Sequence, residues 1–431
     1  MEKKIKIGLI GLGTVGSGVV KVLKNFPEIE IVIAAVKNIS KKRDVEVQNL
    51  TDNPFDVVNH PDVDIVVEVI GGVNPALDLI KTAIRNGKHI VTANKELLAK
   101  CGAELFDLAS EYDRVILYEA AVAGGIPLIM PIKTIMKANR FQSVAGILNG
   151  TTNYILTKME EDNLSYAECL KRAQELGYAE TDPTGDVEGY DAMYKIATLS
   201  NILFNKRIDV NQIYHEGITN ITDEDIKFAN ELGYKIKLIG LAQTDNIYGQ
   251  ESSRNPLDIR VHPMLIPKAN MISGINNALN AILIKGEPIG TVMFTGPGAG
   301  EMPTASSVVG DILILSSELG GDKILPMTRC NHHEYAEQIN ILDTENSYYI
   351  SISAKNTYGT IGLIGTICGK HNINLSCVLQ KESSHKNRAK VIVITEKCYE
   401  KDIRSAINEL ENIMCDGENI IKIDNLIRVM E

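Results

Sequence analysis

Short apolar runs alternate with amphipathic segments along the first third of the chain. The run Ile5 to Ile10 has the length of a buried strand, and a helical pattern and a second apolar run over 29–36 follow it. Runs of the same kind continue the alternation at 64–70, 88–92 and 114–118. Such a succession of strands and helices predicts an α/β domain built on a parallel sheet, which we place at residues 1–130.

The middle of the chain has a different pattern, in which helices precede most of the strands. A strand over 141–148 leads into helical segments at 154–161, 166–176, 188–204 and 222–232. Strand-like runs then occupy 234–245, 257–266, 278–285 and 289–295, before an apolar helix of roughly 301–319. This order predicts an α+β substrate-binding domain over 131–319.

The last part of the chain returns to an alternating pattern after a polar linker at 320–347. From Tyr348 the order is strand, helix, strand, strand, helix, strand, which predicts a ferredoxin-like βαββαβ unit over 348–431. This unit carries no catalytic constellation. We expect one face of its sheet to lack helices and its edges to be exposed, which favours pairing with a copy from another subunit.

Composition narrows the class of protein. The chain has 431 residues, 44% of them hydrophobic, and a net charge of −11, which argues against a nucleic-acid or membrane-surface partner. Its seven cysteines are scattered without a CxxC pair, so neither a disulfide framework nor a zinc site is indicated. The sequence contains no signal peptide or apolar stretch of spanning length, and we expect a cytoplasmic protein.

A glycine motif connects the first strand to the first helix. Gly11 permits a tight turn, Gly13 lets a pyrophosphate approach the backbone, and Gly16 lets helix and strand pack closely. The same GxGxxG pattern outside a strand–turn–helix frame would be weak evidence. Here it predicts a Rossmann-type dinucleotide site, the alternative being a glycine turn without a nucleotide.

The end of the second strand bears on the choice of cofactor. An NAD site favours an acidic residue there, whereas this chain has Val36-Lys37-Asn38 followed by Lys41, Lys42 and Arg43. These cations favour NADP, with NAD still possible and an ordinary solvated loop as the alternative. Other polar residues follow the strands that line the expected ligand crevice, namely Thr92, Asn94, Lys95 and Glu119.

Residues 177–195 concentrate the candidate chemistry. Asp191 and Lys195 are four residues apart on a predicted helix and share a face, and Glu180 and Asp186 lie on the loop before it. Because the helix is largely apolar, we expect the pair at a buried rim; the alternative is a solvated helix start with a routine ion pair. The glycine loop 295–300 could close over a cofactor, and from the residues alone the small-residue loop 120–127 is a tight loop without an ion.

Several segments together resemble the homoserine dehydrogenases that carry a C-terminal ACT domain. The match spans nearly the whole chain, and its combination and order of motifs are highly specific. The matching pieces are GLGTVGSGV at 11–19, VEVIGG at 67–72, GKHIVTANKELLA at 87–99, YEAAVAGGIPLI at 118–129, GILNGTTNYIL at 146–156, GYAETDPTGDVEGYDAMYK at 177–195 and GPGAGEMPTASSVVGD at 296–311.

The resemblance implies roles for individual residues. Lys195 matches the proton donor, Asp191 and Glu180 match groups that hold the amino acid substrate, and Asp186 supports that site. The implied nicotinamide-cofactor contacts are Gly11, Gly13, Thr14, Val15, Gly16, Lys95, Gly177 and Gly298, to which the sequence adds Lys37, Arg43 and Thr92. A structural sodium ion would be held, largely by backbone carbonyls, at Glu119, Val122, Gly124 and Ile126.

The implied function is the NAD(P)H-dependent interconversion of L-aspartate 4-semialdehyde and L-homoserine in threonine and methionine biosynthesis. The implied assembly is a homo-oligomer, dimer or tetramer, formed through the middle domain. An amino acid effector, with threonine as the first candidate, would bind the ACT unit, although Asn356 stands where such units usually carry Asp.

Two alternatives stay open. One is another Rossmann reductase of an amino acid, of the saccharopine or dipicolinate type. The other is a sensing protein with an inactive reductase site, against which the intact Asp191 and Lys195 argue. A buried lysine suits proton transfer to an alkoxide, since burial lowers the pKa of its ammonium group. No cysteine follows a strand as an acylating aldehyde dehydrogenase would require.

Overall fold

The computed structural model describes residues 4–244, 256–319, 329–330, 332–382, 388–415 and 420–430. Residues 320–328 and 331 of the predicted linker 320–347 lie outside these ranges. Within them, six of the seven cysteines are free thiols, and no helix is both long and apolar enough to cross a membrane.

The N-terminal domain is a parallel sheet flanked by helices. Its elements are β1 (Ile5–Ile10), α1 (Thr14–Leu23), β2 (Ile29–Ala35), β3 (Leu50–Thr51), α2 (Pro54–Asn59), β4 (Ile65–Glu68), α3 (Ala76–Arg85), β5 (His89–Thr92), α4 (Lys95–Glu111) and β6 (Ile116–Leu117). The six strands run parallel in the order β3-β2-β1-β4-β5-β6. This order confirms the predicted Rossmann-like domain and opens a ligand crevice where the order reverses, between β1 and β4.

The three glycines of the first turn have distinct environments. Gly11 has φ +103°, a backbone angle that residues other than glycine rarely adopt. A Cβ atom on Gly16 would lie 2.1 Å from the Gly11 carbonyl oxygen, whereas one on Gly13 would have nothing within 4 Å. The turn is therefore closed on the side of Gly16 and open on the side of Gly13.

The middle domain places helices on an antiparallel sheet. Its elements are α5 (Ile129–Lys133), β7 (Arg140–Ile147), α6 (Gly150–Asp162), α7 (Tyr166–Glu175), α8 (Thr184–Val187), α9 (Tyr190–Phe204), β8 (Tyr214–His215), α10 (Asp223–Glu231), β9 (Tyr234–Gln243), β10 (Asp258–Pro267), β11 (Leu279–Glu287), β12 (Gly290–Pro297) and α11 (Glu301–Leu319). The strands lie in the order β12-β11-β7-β9-β10.

Two helices of this domain begin where the pattern did not place them. The helix predicted over 188–204 is α9, which begins at Tyr190 because Gly189, at φ +87°, directly precedes it; the short helix α8 lies before the predicted segment. Helix α6 begins at Gly150 rather than at 154, because the Asn149 side chain accepts the Thr152 N–H at 2.8 Å and caps it.

Helix α11 completes the N-terminal domain, although its position in the sequence assigned it to the middle domain. Its residues Ala305, Val308 and Ile312 are buried in the same cluster as the β1 and α1 side chains. The approach to α1 is close: a Cβ atom on Gly18 would lie 2.7 Å from the Glu301 carbonyl oxygen. The chain therefore returns to the cofactor domain after building the middle sheet.

The C-terminal unit has the predicted βαββαβ order with one additional short strand. Its elements are β13 (Glu345–Lys355), α12 (Thr360–Lys370), β14 (Leu375–Glu382), β15 (Arg388–Thr395), β16 (Cys398–Tyr399), α13 (Glu400–Cys415) and β17 (Ile420–Val429). The strands pair in the order β17-β13-β15-β14.

The prediction that this unit has a helix-free sheet face and exposed edges is wrong at its junction with the middle domain. Strand β17 pairs in parallel with β10, so the two sheets are continuous. Helix α10 covers the other face, where Tyr349 donates to Asp225 at 3.0 Å and shares the large core of the middle domain. The described part of the predicted linker also runs along the middle domain, since Ala336 N–H donates to the Arg207 carbonyl at 2.9 Å.

Candidate active site

The candidate site lies where the first turns of two packed helices meet. Helix α4 begins at Lys95, and the Asn94 side chain caps it by accepting the Leu97 N–H at 3.1 Å. Helix α9 carries Asp191 in its first turn and Lys195 one turn later. The strand–helix turn thus places Lys95 opposite the Asp191 and Lys195 pair.

Asp191 is held between two lysine side chains. Its Oδ2 accepts from Lys195 Nζ at 2.7 Å, and its Oδ1 contacts Lys95 Nζ. The side chains of Asp191 and Lys195 are 6% and 8% exposed, whereas that of Lys95 is 41% exposed. The predicted buried pair is present, and Lys95, which the resemblance placed only near the nicotinamide, is part of the same cluster.

The environment shifts the protonation of the three groups in different directions. Burial lowers the pKa of Lys195, and the Asp191 charge opposes that shift only in part. Burial alone would raise the pKa of Asp191, but the two ammonium groups outweigh it and hold it well below its ordinary value. The Asp191 charge raises the pKa of Lys95. Lys195 is therefore the member of this cluster best suited to release and regain a proton.

Asn149 joins the two carboxylates of the site. Its Nδ2 donates to Asp186 Oδ1 at 2.6 Å and to Asp191 Oδ2 at 2.9 Å, so one amide separates two like charges. Burial, followed by the Asp191 charge, raises the pKa of Asp186. No role was predicted for Asn149 from the sequence; its position as a polar residue directly after a strand was the available signal.

A backbone carbonyl provides the second acceptor of Lys195. Lys195 Nζ donates to the Leu148 oxygen at 2.7 Å, and the buried Asn280 Nδ2 donates to the same oxygen at 2.9 Å. A Cβ atom on Gly298 would lie 2.1 Å from the Asn280 side chain, so the glycine loop 295–300 packs against this amide. Within the described chain, the third N–H of the Lys195 ammonium has no protein acceptor.

Glu180 lies on the exposed segment between α7 and α8, which starts from Gly177 at φ +76°. Gln174 Nε2 donates to the Glu180 carbonyl at 3.1 Å and holds the backbone. The Glu180 charge contributes to raising the pKa of Lys95, after larger contributions that include Asp191 and Asp186. The negative charges of three carboxylates, those of Asp191, Asp186 and Glu180, therefore act on Lys95.

The predicted cofactor residues beyond the glycine turn differ in their surroundings. Lys37 is exposed, and the Arg43 guanidinium donates to the Lys41 and Asn38 carbonyls, each at 2.8 Å. The Thr92 hydroxyl is fully buried; it donates to Glu68 at 2.6 Å and accepts the Asn94 N–H. These bonds hold the Thr92 side chain within the domain.

The predicted cation loop is also tied to the protein. The Glu119 carboxylate accepts the N–H groups of Ile129 and Met130, both at 2.7 Å, and caps α5. The Gly124 carbonyl accepts the Ser307 hydroxyl at 2.7 Å, while Val122 and Ile126 are buried. Among the described residues there is no group of three or more His, Cys, Asp or Glu side chains arranged for a metal ion. Any ion here would depend on backbone carbonyls, and the oxygen-only donor set fits sodium.

A parallel sheet in this order, a glycine turn open at Gly13 and a buried lysine with an available N–H define a nicotinamide-nucleotide-dependent oxidoreductase. The model of the homoserine dehydrogenase NAD binding domain matches residues 11–119, and the homoserine dehydrogenase model matches residues 127–313. The chain belongs to the homoserine dehydrogenase family.

Similar proteins extend over the full length. A homoserine dehydrogenase of Synechocystis is 39% identical and is covered over 99% of each chain. One of Neisseria gonorrhoeae is 38% identical over 96% of each chain. The crystal structure of a homoserine dehydrogenase from Thiobacillus denitrificans superposes with a TM-score of 0.91 at 38% identity, covering 100% of this chain and 99% of that one.

Proposed function

We propose that the protein interconverts L-aspartate 4-semialdehyde and L-homoserine with a nicotinamide cofactor, as a homoserine dehydrogenase. The observation that carries the proposal is Lys195, a buried ammonium group fixed by Asp191 and the Leu148 carbonyl with one N–H left for a substrate oxygen. Family membership identifies the substrate pair.

The residues of the site account for the proton side of the reaction. The cofactor, when bound, supplies or accepts the hydride at C4 of its nicotinamide ring. During reduction, Lys195 donates a proton to the alkoxide oxygen that develops from the aldehyde. During oxidation of homoserine, neutral Lys195 accepts the hydroxyl proton as hydride leaves the same carbon. Asp191 keeps the lysine in place and stabilises the form that carries the charge.

The carboxylates of the cleft suit the ammonium group of the substrate. The pKa of Lys95 is raised by the negative charges of Glu180, Asp186 and Asp191. The same charges would attract a second cation, such as the substrate ammonium group, next to Lys95. Replacing Glu180 with alanine should chiefly raise the KM for homoserine. Replacing Glu175, an exposed acid at the end of α7, provides the matched control.

The cations after β2 support a preference for NADP, because they could pair with the 2′-phosphate that NADP carries and NAD lacks. Lys37→Glu should weaken NADP more than NAD, while Lys24→Glu, an exposed lysine at the end of α1, should leave the ratio unchanged. Equal losses for both cofactors would point to general destabilisation instead. Arg43, already engaged by two carbonyls, would act mainly by shaping the loop.

A sodium ion in the loop 119–126 is a further part of the proposal. Its support is the loop's backbone, in which Ala123 and Gly124 both adopt positive φ, and the oxygen-only donor set. If the ion is present, exchange of sodium for the larger caesium ion should lower the melting temperature of the protein without cofactor. An unchanged melting temperature would remove the ion from the proposal.

We also propose that the C-terminal unit is an ACT domain that binds an amino acid, threonine being the first candidate. Its βαββαβ order supports this, as does the turn Asn356–Gly359, where Gly359 at φ +88° precedes α12. Asn356 accepts a bond from Gln380 at 3.3 Å, so its side chain is held within the unit. A homo-oligomer, dimer or tetramer, completes the proposal and is tested by light scattering.

One assay tests the central proposal. Oxidation of homoserine with NADP or NAD is followed by the absorbance of the reduced cofactor, with and without threonine. Turnover that is lost in Lys195→Ala supports the proposal. Turnover with saccharopine but not with homoserine would favour the other reductase class, and cofactor binding without any turnover would favour an inactive sensor.

A further inference from the structure

A second buried ion cluster lies at the junction of the C-terminal unit with the middle domain. Glu400, at the start of α13, is fully buried and accepts the Arg428 guanidinium at both oxygens, with the Nε contact at 2.9 Å. Tyr348 donates to the same carboxylate at 2.8 Å. Burial would raise the pKa of Glu400, but Arg428 lowers it, so the pair is ionised.

The cluster extends out of the C-terminal unit. Arg428 Nη1 donates to Glu216 Oε2 at 3.3 Å, and its guanidinium lies 5.0 Å from the centre of the Tyr214 ring. Tyr214 donates to the same Glu216 oxygen at 2.9 Å. Both partners belong to the segment 214–218 of the middle domain, which we name the strap.

The strap is in direct contact with the turn 184–191, which carries Asp186 and Asp191. Ile218 N–H donates to the Val187 carbonyl at 2.8 Å, and a Cβ atom on Gly217 would lie 2.0 Å from that same oxygen. The His215 and Tyr190 rings are in tilted contact, with centroids 4.5 Å apart. The strap therefore packs against both α8 and the start of α9.

The turn 184–191 positions the two carboxylates that we propose bind the substrate. Asp186 lies in α8 next to Val187, and Asp191 lies in the first turn of α9 next to Tyr190. A shift of the strap would move both acids relative to Lys95, which is fixed on the other domain. The cofactor turn at Gly11–Gly16 has no contact of this kind with the strap among the described residues.

We infer that Glu216 and Arg428 are positioning residues for the reaction: through the strap they fix the turn 184–191, so the C-terminal unit sets the geometry of Asp186 and Asp191. The inference rests on the proposed function for the roles of those two acids. By this inference, the junction between the C-terminal unit and the middle domain is part of the machinery that binds the substrate.

Two substitutions in the strap test the inference. Glu216→Gln keeps the shape of a side chain that is 29% exposed but removes its charge. Gly217→Ala places a methyl group against the Val187 oxygen. Both should raise the KM for homoserine by about 2- to 30-fold, the range of coupling through a packed network, while the KM for the cofactor stays unchanged. Lys370→Gln, which breaks an exposed pair with Glu409 inside the C-terminal unit, is the matched control.

Amide hydrogen exchange gives a readout that does not depend on the substrate. Faster exchange at 184–191 in Glu216→Gln, with unchanged exchange in α4, supports the inference even if the enzyme acts on another amino acid. Unchanged exchange at 184–191 in both variants overturns it, as does an equal rise in the KM for both substrates. Failure of the wild-type protein to oxidise homoserine would overturn the proposed function alone.

Discussion

The two buried ion clusters differ in the kind of cation that holds each carboxylate. Glu400 is fully buried, and Arg428, Arg404 and Tyr348 donate to it. Asp191 is also buried, but its partner Lys195 keeps one N–H without a protein acceptor in the described chain. The Glu400 cluster joins structural elements, whereas the Lys195 cluster leaves an ammonium N–H that can act on a ligand.

The chemistry of the cations strengthens this contrast. A guanidinium keeps its proton under all ordinary conditions, so Arg428 can hold a geometry but cannot transfer a proton. A lysine ammonium responds to burial, and burial lowers the pKa of Lys195. The protein therefore places arginine where two domains are joined and lysine where a proton moves.

The largest effect is expected for Lys195→Ala. Loss of one positioned acid should lower kcat for homoserine oxidation by about 10²- to 10⁴-fold, because the alkoxide loses its proton donor and the hydroxyl its base. Lys195→Arg should be similarly impaired, since the charge is kept but the proton is not released. Steady-state kinetics and cofactor binding by fluorescence measure this, and a near wild-type kcat would exclude Lys195 from the mechanism.

A large effect on stability is expected for Arg428→Met. Removing one partner of a buried pair should cost about 3–5 kcal/mol of unfolding free energy, because the Glu400 charge is left without its guanidinium. The double variant Arg428→Met with Glu400→Leu should regain part of that loss, since no charge then stays buried. Urea denaturation of the three proteins measures it; a double variant less stable than the single one would contradict the explanation.

The pH dependence of kcat should report on the Lys195 cluster alone, because Arg428 keeps its proton. Homoserine oxidation needs neutral Lys195, so kcat should rise by up to about tenfold per pH unit and level off above the pKa of Lys195, below that of an ordinary lysine. Aldehyde reduction needs the protonated form and should fall over the same range. A kcat for oxidation that is flat with pH would argue that a step other than proton transfer limits the rate.

The smallest effect is expected for Lys95→Met. The Lys95 charge lowers the pKa of Lys195, so its removal should move the midpoint of the oxidation profile to higher pH. The matched variant Lys100→Met, five residues further along α4, should leave the midpoint unchanged. A midpoint that moves to lower pH would show that Lys95 acts mainly by orienting Asp191.

The sequence by itself determined the features that depend on short separations. The GxGxxG turn, the alternation of the first domain and the pairing of Asp191 with Lys195 all follow from spacing along one or two elements. The βαββαβ order of the last unit also followed from its local periodicity.

Only the tertiary structure decided which distant residues meet. Lys95 and Asp191 are nearly a hundred residues apart, and the Leu148 carbonyl, which carries no sequence signal, accepts from Lys195. The pairing of β10 with β17 and the return of α11 to the first domain are equally invisible in a local pattern. Periodicity shows that a face or an edge will be covered, but which element covers it is settled by packing and hydrogen bonding across the whole fold.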